Sequence, residues 1–150
     1  GSARHTYRFQ SKDAHVHEAT FQALIAEESM LLQQYQHRIT SDGEYTLMYF
    51  GKQYSHAVLK RAKSGDFRVQ DDFGGTVAEC HAPSEVRLYA DAVMQSLPVN
   101  HAYARVDVMI DNDGSPVLAE LEMIEPELWL RTHPPAANLF AQSLLESLEV

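Results

Sequence analysis

Residues 103–123, YARVDVMIDNDGSPVLAELEM, decide the fold of this chain. Two runs of alternating or β-branched residues flank Asp113-Gly114, a pair typical of tight antiparallel hairpins. With Asp113-Gly114 as a two-residue turn, the register of the two strands places Asp107 opposite Glu120. The sequence therefore predicts a hairpin that brings acidic side chains from both strands together.

Three acidic side chains share one face of this hairpin. Glu122 follows Glu120 by two residues, so both project to the side that Asp107 faces. Opposed side chains on antiparallel strands have Cβ atoms about 4.5 to 5.5 Å apart, and like charges at that distance destabilise the sheet unless something neutralises them. Mg²⁺ binds one or two carboxylates together with water and phosphates. The pattern alone leaves two interpretations open, a metal or phosphate site and an exposed acidic face.

Composition limits the classes of function. The 150 residues predict one domain over residues 3–150, after a Gly1-Ser2 pair typical of an expression scar. With 21 acidic residues against 12 Lys and Arg, the net charge of −9 argues against general binding to nucleic acid or to an anionic membrane. The single cysteine, Cys80, excludes a disulfide within the chain and favours a reducing cytoplasm. No apolar run approaches the roughly 18 residues of a membrane span.

Periodicity predicts α+β, with a mainly antiparallel sheet and packed helices. Strands are expected over residues 30–39 and in a hairpin of residues 45–50 and 53–60, followed by a glycine-containing loop over residues 61–76. Helices are expected over residues 13–28 with Asp13 as cap, over residues 84–97 with Ser84 as cap and Pro98 as stop, and over residues 136–148 with Leu139, Phe140, Leu144, Leu145 and Leu148 facing the core.

Two cations are candidates for contact with phosphate. Lys60 ends a predicted strand, and the loop that follows carries Arg68. A loop with several glycines can fold its backbone closely over an anion, and an arginine supplies a bidentate donor to phosphate. The alternative is an ordinary surface loop with solvated cations.

The stretches RVDVM (residues 105–109), DNDG (residues 111–114) and ELE (residues 120–122), followed by Pro126, resemble the ATP-grasp carboxylate–amine ligases. The nearest patterns are those of D-Ala-D-Ala ligases and bacterial glutathione synthetases. The resemblance spans roughly residues 30–145 and implies the C-terminal part of an ATP-grasp fold. It makes Asp107 and Glu120 ligands of Mg²⁺, or of Mn²⁺ in its place, with the ion bridging ATP phosphates. Glu122 is implied as the third ligand, where the family usually has Asn.

The same resemblance implies roles for residues other than the three ligands of the metal ion. It places Gln33 on a hinge strand that meets the adenine edge of ATP, and Glu44 where the ribose hydroxyls are bound. Lys60 and Arg68 correspond to cations around the phosphates and the acyl group. Arg105 corresponds to an arginine that stabilises the acylphosphate and the tetrahedral intermediate.

The implied function is that of an ATP- and Mg²⁺-dependent ligase, which activates a small-molecule carboxylate as an acylphosphate for attack by an amine or another nucleophile. Family members carry a nucleotide-binding lysine strand and usually a substrate domain upstream, so the N-terminal part of the same protein is an expected partner and the isolated chain is expected to be inactive. A homo-oligomer is left open. The alternatives are a non-catalytic ATP-grasp-like binding or assembly module and a metal-dependent phosphohydrolase.

Overall fold

The computed structural model describes residues 5–63 and 74–148. Gly1-Ser2 and Arg68 lie outside the described residues, so the expression scar and the role of Arg68 stay predictions. The chain divides into two compact units, Gly1–Gln36 and His37–Val150. The single domain expected over residues 3–150 also stays a prediction.

The first unit contains a 3₁₀ turn, Ser11–Asp13, and helix α1, Ala14–Ile25. The helix ends earlier than the predicted residue 28. Asp13 precedes it, but its carboxylate makes no capping hydrogen bond, so the predicted cap is wrong. No residue of α1 is buried, and Val16 is 65% exposed. The apolar spacing predicted the helix correctly, because helix formation depends on local conformation. It did not lead to a buried face.

The strand predicted over residues 30–39 is wrong. Residues 29–36 form neither helix nor strand, and Ile39–Asp42 form the short helix α2. A strand needs a neighbour to pair its backbone N–H and C=O groups, and this segment pairs with none of the strands in the sheet. Leu31 is 93% exposed. The hinge strand expected to carry Gln33 is therefore absent from the part of the chain that the structure describes.

The second unit is built on a five-stranded antiparallel sheet with the order β3-β2-β1-β4-β5. This confirms the predicted α+β class and the β1–β2 hairpin. Most of the predicted loop over residues 61–76 lies outside the described residues, and an unpredicted strand, β3, begins at Thr76. The strands are β1 Glu44–Phe50, β2 Gln53–Arg61, β3 Thr76–Cys80, β4 Tyr103–Ile110 and β5 Pro116–Glu122.

Helix α3, Ser84–Ser96, covers one face of the sheet. Its buried residues Val86, Ala90 and Met94 join the main core with apolar side chains of β1, β2 and β4. Pro83 occupies the N-cap position and no side chain caps the helix, so the predicted Ser84 cap is wrong. The predicted stop is confirmed, because Leu97 before Pro98 has extended backbone angles, as residues that precede proline do.

Helix α4, Ala136–Leu148, has the predicted bounds but a different buried face. Ala136 and Ser143 are buried, whereas Leu144, Leu145 and Leu148 are 37%, 64% and 80% exposed. Phe140 also faces the sheet, where its ring packs on Phe50 and Tyr103, and Ser143 Oγ donates a hydrogen bond of 2.6 Å to the Ala102 carbonyl. The prediction that these three leucines face the core is therefore wrong.

The turn of the β4–β5 hairpin has three residues rather than two. Asp111 N–H donates to the Ser115 carbonyl at 2.8 Å, which leaves residues 112–114 as the loop. Gly114 has a φ of 93°, the left-handed value that completes such a loop with least strain in glycine. The Asp111 carboxylate also accepts hydrogen bonds from the N–H groups of Asp113 and Ser115.

A second irregularity restores the predicted pairing of the acids. The three-residue loop shifts the register, so Val108 lies opposite Leu118. A bulge then leaves Ala119 without an opposed residue, and Asp107 lies opposite Glu120. The predicted pair is confirmed, although two compensating irregularities produce it.

Within the described residues, no helix has the length and apolar character needed to cross a bilayer.

Candidate active site

One face of the sheet carries a cluster of charged side chains, which we call the charged cluster. Strand alternation places these residues on the same face, away from α3. The register pairs Glu44 with Lys60 and Arg105 with Glu122, in addition to Asp107 with Glu120. The charged cluster comprises Glu44, Lys60, Arg105, Asp107, Glu120 and Glu122.

Lys60 lies on β2 and contacts both its neighbour β1 and the strand beyond it, β4. Its Nζ lies 3.0 Å from Glu44 Oε1 on β1 and 3.0 Å from Asp107 Oδ2 on β4. Thr46 of β1 lies opposite Asp107 of β4 and opposite Val58 of β2, so it occupies the strand between the lysine and this carboxylate. The lysine side chain is 12% exposed, so its charge is held by two carboxylates with little water around it.

Arg105 contacts all three acids that the sequence selected as metal ligands. Its Nη2 lies 3.0 Å from Asp107 Oδ2, 3.1 Å from Glu120 Oε2 and 2.6 Å from Glu122 Oε2. Its Nε donates to the two Asp107 oxygens at 3.1 and 3.2 Å. The structure thus brings the three acids together around an arginine. Among the described residues, no three histidine, cysteine or acidic side chains are arranged to hold a metal ion.

Burial and charge act against each other in the charged cluster. Burial raises the pKa of Glu44 above its usual value, and the charge of Lys60 offsets this only in part. Burial opposes the charge of Arg105, but the carboxylates around it, Asp107 first, raise its pKa overall. With every member ionised, four carboxylates and two cations leave two negative charges. The chemistry of this donor set, carboxylate oxygens with an excess of negative charge, suits a divalent hard cation such as Mg²⁺, whereas the described side chains are arranged around Arg105.

The segment after β5 covers the neighbouring part of this face. Trp129 is 5% exposed and packs on Met48 and Val58. It has a φ of 52°, as Glu125 has one of 55°, values rare for residues other than glycine. The Trp129 Nε1 and the Thr46 hydroxyl are buried and have no hydrogen-bond partner within the described part of the chain. Buried polar groups without partners are unusual and concentrate at functional sites.

His56 and His133 form a pair near Trp129 that was not predicted from the sequence. The rings of His56 and His133 stack with centroids 4.9 Å apart, and His133 Nδ1 lies 2.7 Å from Glu79 Oε1. His56 is 3% exposed, and its Nε2 donates to the Leu128 carbonyl at 3.1 Å. Burial, followed by the nearness of His133, lowers the pKa of His56. No local pattern indicates this pair, because its members come from distant segments.

A separate cavity of about 460 Å³ lies on the α3 side of the sheet, between Lys52, Tyr54 and Arg87. The Arg87 guanidinium lies 3.6 Å from the Tyr54 ring centroid and bonds to Asp91 at 2.8 Å. Two of the charged side chains that line this cavity, Arg87 and Asp91, therefore pair with each other.

The predicted site residues fall into three groups. Gln33 belongs to the first unit, in the segment without helix or strand, and Arg68 lies outside the described residues. The other six form the charged cluster, in which Arg105 and Lys60 both contact Asp107.

The chain is similar in sequence and fold to known ligases. The cycloserine biosynthesis protein DcsG of Streptomyces lavendulae is 29% identical over 158 residues, which cover 99% of this chain. The crystal structure of D-cycloserine synthetase DcsG matches 99% of the chain with a TM-score of 0.79 and 29% identity. The chain spans 47% of the length of the curated relative and 52% of that structure. No protein-family model matches the chain.

A more distant likeness concerns the fold. D-alanine–D-alanine ligase from Bacillus anthracis, solved in complex with ATP, matches 92% of the chain with a TM-score of 0.57 and 14% identity, and the match spans 46% of the ligase. A second structure of the same ligase matches 93% of the chain with a TM-score of 0.56, 18% identity and 48% of the ligase covered. Together these matches confirm the resemblance to the C-terminal portion of the ATP-grasp ligases.

Proposed function

We propose that this chain, which has the fold of the C-terminal portion of the ATP-grasp ligases, belongs to an enzyme that activates a carboxylate with ATP and Mg²⁺ and joins it to an amine or another nucleophile. The observation that carries the proposal is the charged cluster, where two cations and four carboxylates meet on one sheet face. The N-terminal part of the same protein would complete the active site. The single cysteine supports a cytoplasmic location as part of the same proposal.

Asp107, Glu120 and Glu122 are the proposed ligands of Mg²⁺. The ion, when bound, neutralises charge on the phosphoryl oxygens of ATP. Asp107 is 1% exposed, which fixes its position, whereas the Glu120 side chain is 58% exposed and free to adapt to an ion. Mn²⁺ prefers the same oxygen ligands and is the expected substitute.

Lys60 and Arg105 are the proposed binding groups for anions. Glu44 and Asp107 hold the Lys60 ammonium between them, so its direction is set before any substrate arrives. We assign Lys60, with Arg68, to phosphate or acyl oxygens, and Arg105 to the charge that develops on the acyl and phosphoryl groups. Glu44 is the proposed acceptor for ribose hydroxyls, and Gln33 the proposed neighbour of the adenine.

The proposed reaction has two steps. An oxygen of the substrate carboxylate attacks the γ-phosphorus of ATP, and ADP leaves. The amine then attacks the acyl carbon, phosphate leaves, and the nitrogen loses a proton. D-cycloserine synthetase and D-alanine–D-alanine ligase are both named for small molecules, which supports a carboxylate and an acceptor of small size.

The test measures ADP release by the full-length protein with ATP, Mg²⁺ and a panel of amino acids and their derivatives. Release that needs both a carboxylate and an acceptor supports the ligase. Phosphate release without any acceptor would instead indicate the phosphohydrolase. Absence of ATP binding in isothermal titration with Mg²⁺ would indicate the non-catalytic module, and either result would refute the proposal.

A further inference from the structure

The most crowded point of the charged cluster is one nitrogen of Arg105. Three carboxylate oxygens, one from each proposed Mg²⁺ ligand, lie between 2.6 and 3.1 Å from Nη2. This nitrogen carries two hydrogens, so it cannot donate a full hydrogen bond to three acceptors. The carboxylates are therefore arranged around a positive charge rather than around a set of donors. Nη2 occupies the position that a cation shared by the three carboxylates would occupy.

The contacts of Arg105 also differ between Nε and Nη2, the two ends of its guanidinium group. Nε donates to Asp107, whereas Nη2 contacts Glu120 and Glu122. Asp107 is buried, while the side chains of Glu120 and Glu122 are 58% and 32% exposed. One end of the guanidinium thus has a rigid partner, and the other has partners that water reaches. The exposed contacts are the ones that a small ion can replace at least cost.

We infer that Nη2 of Arg105 occupies the position of the divalent cation among Asp107, Glu120 and Glu122, and that the cation replaces it there on binding. The inference rests on the proposed function, because it takes these acids as the Mg²⁺ ligands. Nε keeps its contact with Asp107 during the exchange. Nη2 is released from the two glutamates, so it becomes available to an anionic substrate group only after the ion has bound.

This exchange predicts competition between the ion and the charge of Arg105. The full-length protein is titrated with Mn²⁺ in the absence of nucleotide, and free Mn²⁺ is followed by electron paramagnetic resonance. Arg105→Met removes the competing charge, and we expect it to bind Mn²⁺ about tenfold more tightly than the wild type does. Arg105→Lys keeps the charge and is expected to stay within about threefold of the wild type.

Arg87 supplies a matched control, since it also bonds to a carboxylate but lies on the α3 side of the sheet. Arg87→Met is expected to leave Mn²⁺ affinity unchanged. Equal or weaker Mn²⁺ binding by folded Arg105→Met would overturn the inference. Tighter binding by both methionine variants would overturn it as well, because the gain would then reflect net charge.

Removing Arg105 leaves Asp107 with one cation fewer, so the variant can be unstable. In that case Mg²⁺ becomes the readout, because an ion bound only to the folded state stabilises it. We expect Mg²⁺ to raise the Tm of Arg105→Met more than that of the wild type. If the variant does not fold with Mg²⁺ either, the side-chain NMR signals of Arg105 in the wild type decide: a change on adding Mg²⁺ supports the exchange, and no change refutes it.

The two proposals fail separately. Tighter Mn²⁺ binding by Arg105→Met in a protein without acceptor-dependent ADP release would refute the ligase and keep the exchange. An active ligase in which Arg105→Met leaves Mn²⁺ binding unchanged would refute the exchange and keep the ligase.

Discussion

Lys60 Nζ lies 3.0 Å from Asp107 Oδ2, although β1 separates the strands that carry the two residues. The contact crosses above Thr46, which is fully buried. Asp107 also binds Arg105, so one buried carboxylate holds the two cations proposed to meet the substrates. Asp107 therefore organises the cationic side of the cluster in addition to being a proposed ligand of the ion.

Asp107→Asn is expected to lower ATP-dependent turnover of the full-length protein by roughly 100-fold or more, because it removes an ion ligand and releases two cations at once. Loss of a buried partner is also expected to cost about 3 kcal/mol of unfolding free energy. Turnover and chemical denaturation provide the measurements. Asp91→Asn is the matched control, since Asp91 bonds to Arg87 on the α3 side, and equal loss in both variants would contradict the assignment.

Gly43→Ala is expected to destabilise the protein by about 2 kcal/mol or more. Gly43 has a φ of 80°, and an added Cβ would overlap the Lys60 carbonyl oxygen. Gly51→Ala is the control, because Gly51 has a φ of 55° and its Cβ would lie 3.5 Å from Ser143 Oγ. Gly51→Ala should be destabilised only by its backbone angle, by about 1 kcal/mol of unfolding free energy. Urea denaturation of both variants tests this, and equal losses would contradict the predicted clash.

Stability is expected to fall as the pH drops below about 6.5, the ordinary pKa of histidine. Burial lowers the pKa of His56 in the folded chain, so the unfolded chain takes up its proton first. The resulting loss reaches up to about 1.4 kcal/mol per pH unit until the lower folded pKa is passed. Unfolding free energies measured across this range provide the test. His56→Gln should flatten the profile, whereas a change at the exposed His15 should not.

Tyr49→Phe is expected to cost about 1 kcal/mol of unfolding free energy at neutral pH. The Tyr49 hydroxyl donates to Asp91 Oδ1 at 2.7 Å, and burial, then that bond, raises the pKa of Tyr49. The stability that the neutral hydroxyl confers is therefore present below about pH 10, the pKa of tyrosine in an unfolded chain, and is lost as the pH rises above it. Alkaline unfolding of the wild type and of Tyr49→Phe checks this, and identical pH dependence would count against it.

Local patterns predicted most of the regular structure of the second unit. The β1–β2 hairpin, the stop of α3 and the bounds of α4 follow from turn residues, proline and helical spacing. The helix caps and the two-residue turn failed locally, and two further failures concern contacts with distant residues. The segment over residues 30–39 found no strand to pair with, and the leucines of α4 lie outside the core because Ala136 and Ser143 face inward instead.

The candidate site was likewise predicted from the sequence only in part. Alternation along β4 and β5 predicts that Asp107, Glu120 and Glu122 share a face, and the structure places them on it. The central position of Arg105 was not predicted, because alternation specifies a face and not the side-chain contacts made on it.

By itself the sequence determined that these acids share a face, since strand period is a local property of the chain. Their pairing depends on a three-residue loop and a compensating bulge. It also carried the resemblance to a ligase fold. Only the tertiary structure decided what lies among those acids. The reach of Lys60 across β1 and the placement of Nη2 of Arg105 depend on strand order and on the balance of burial and charge, which involve residues far apart in the chain.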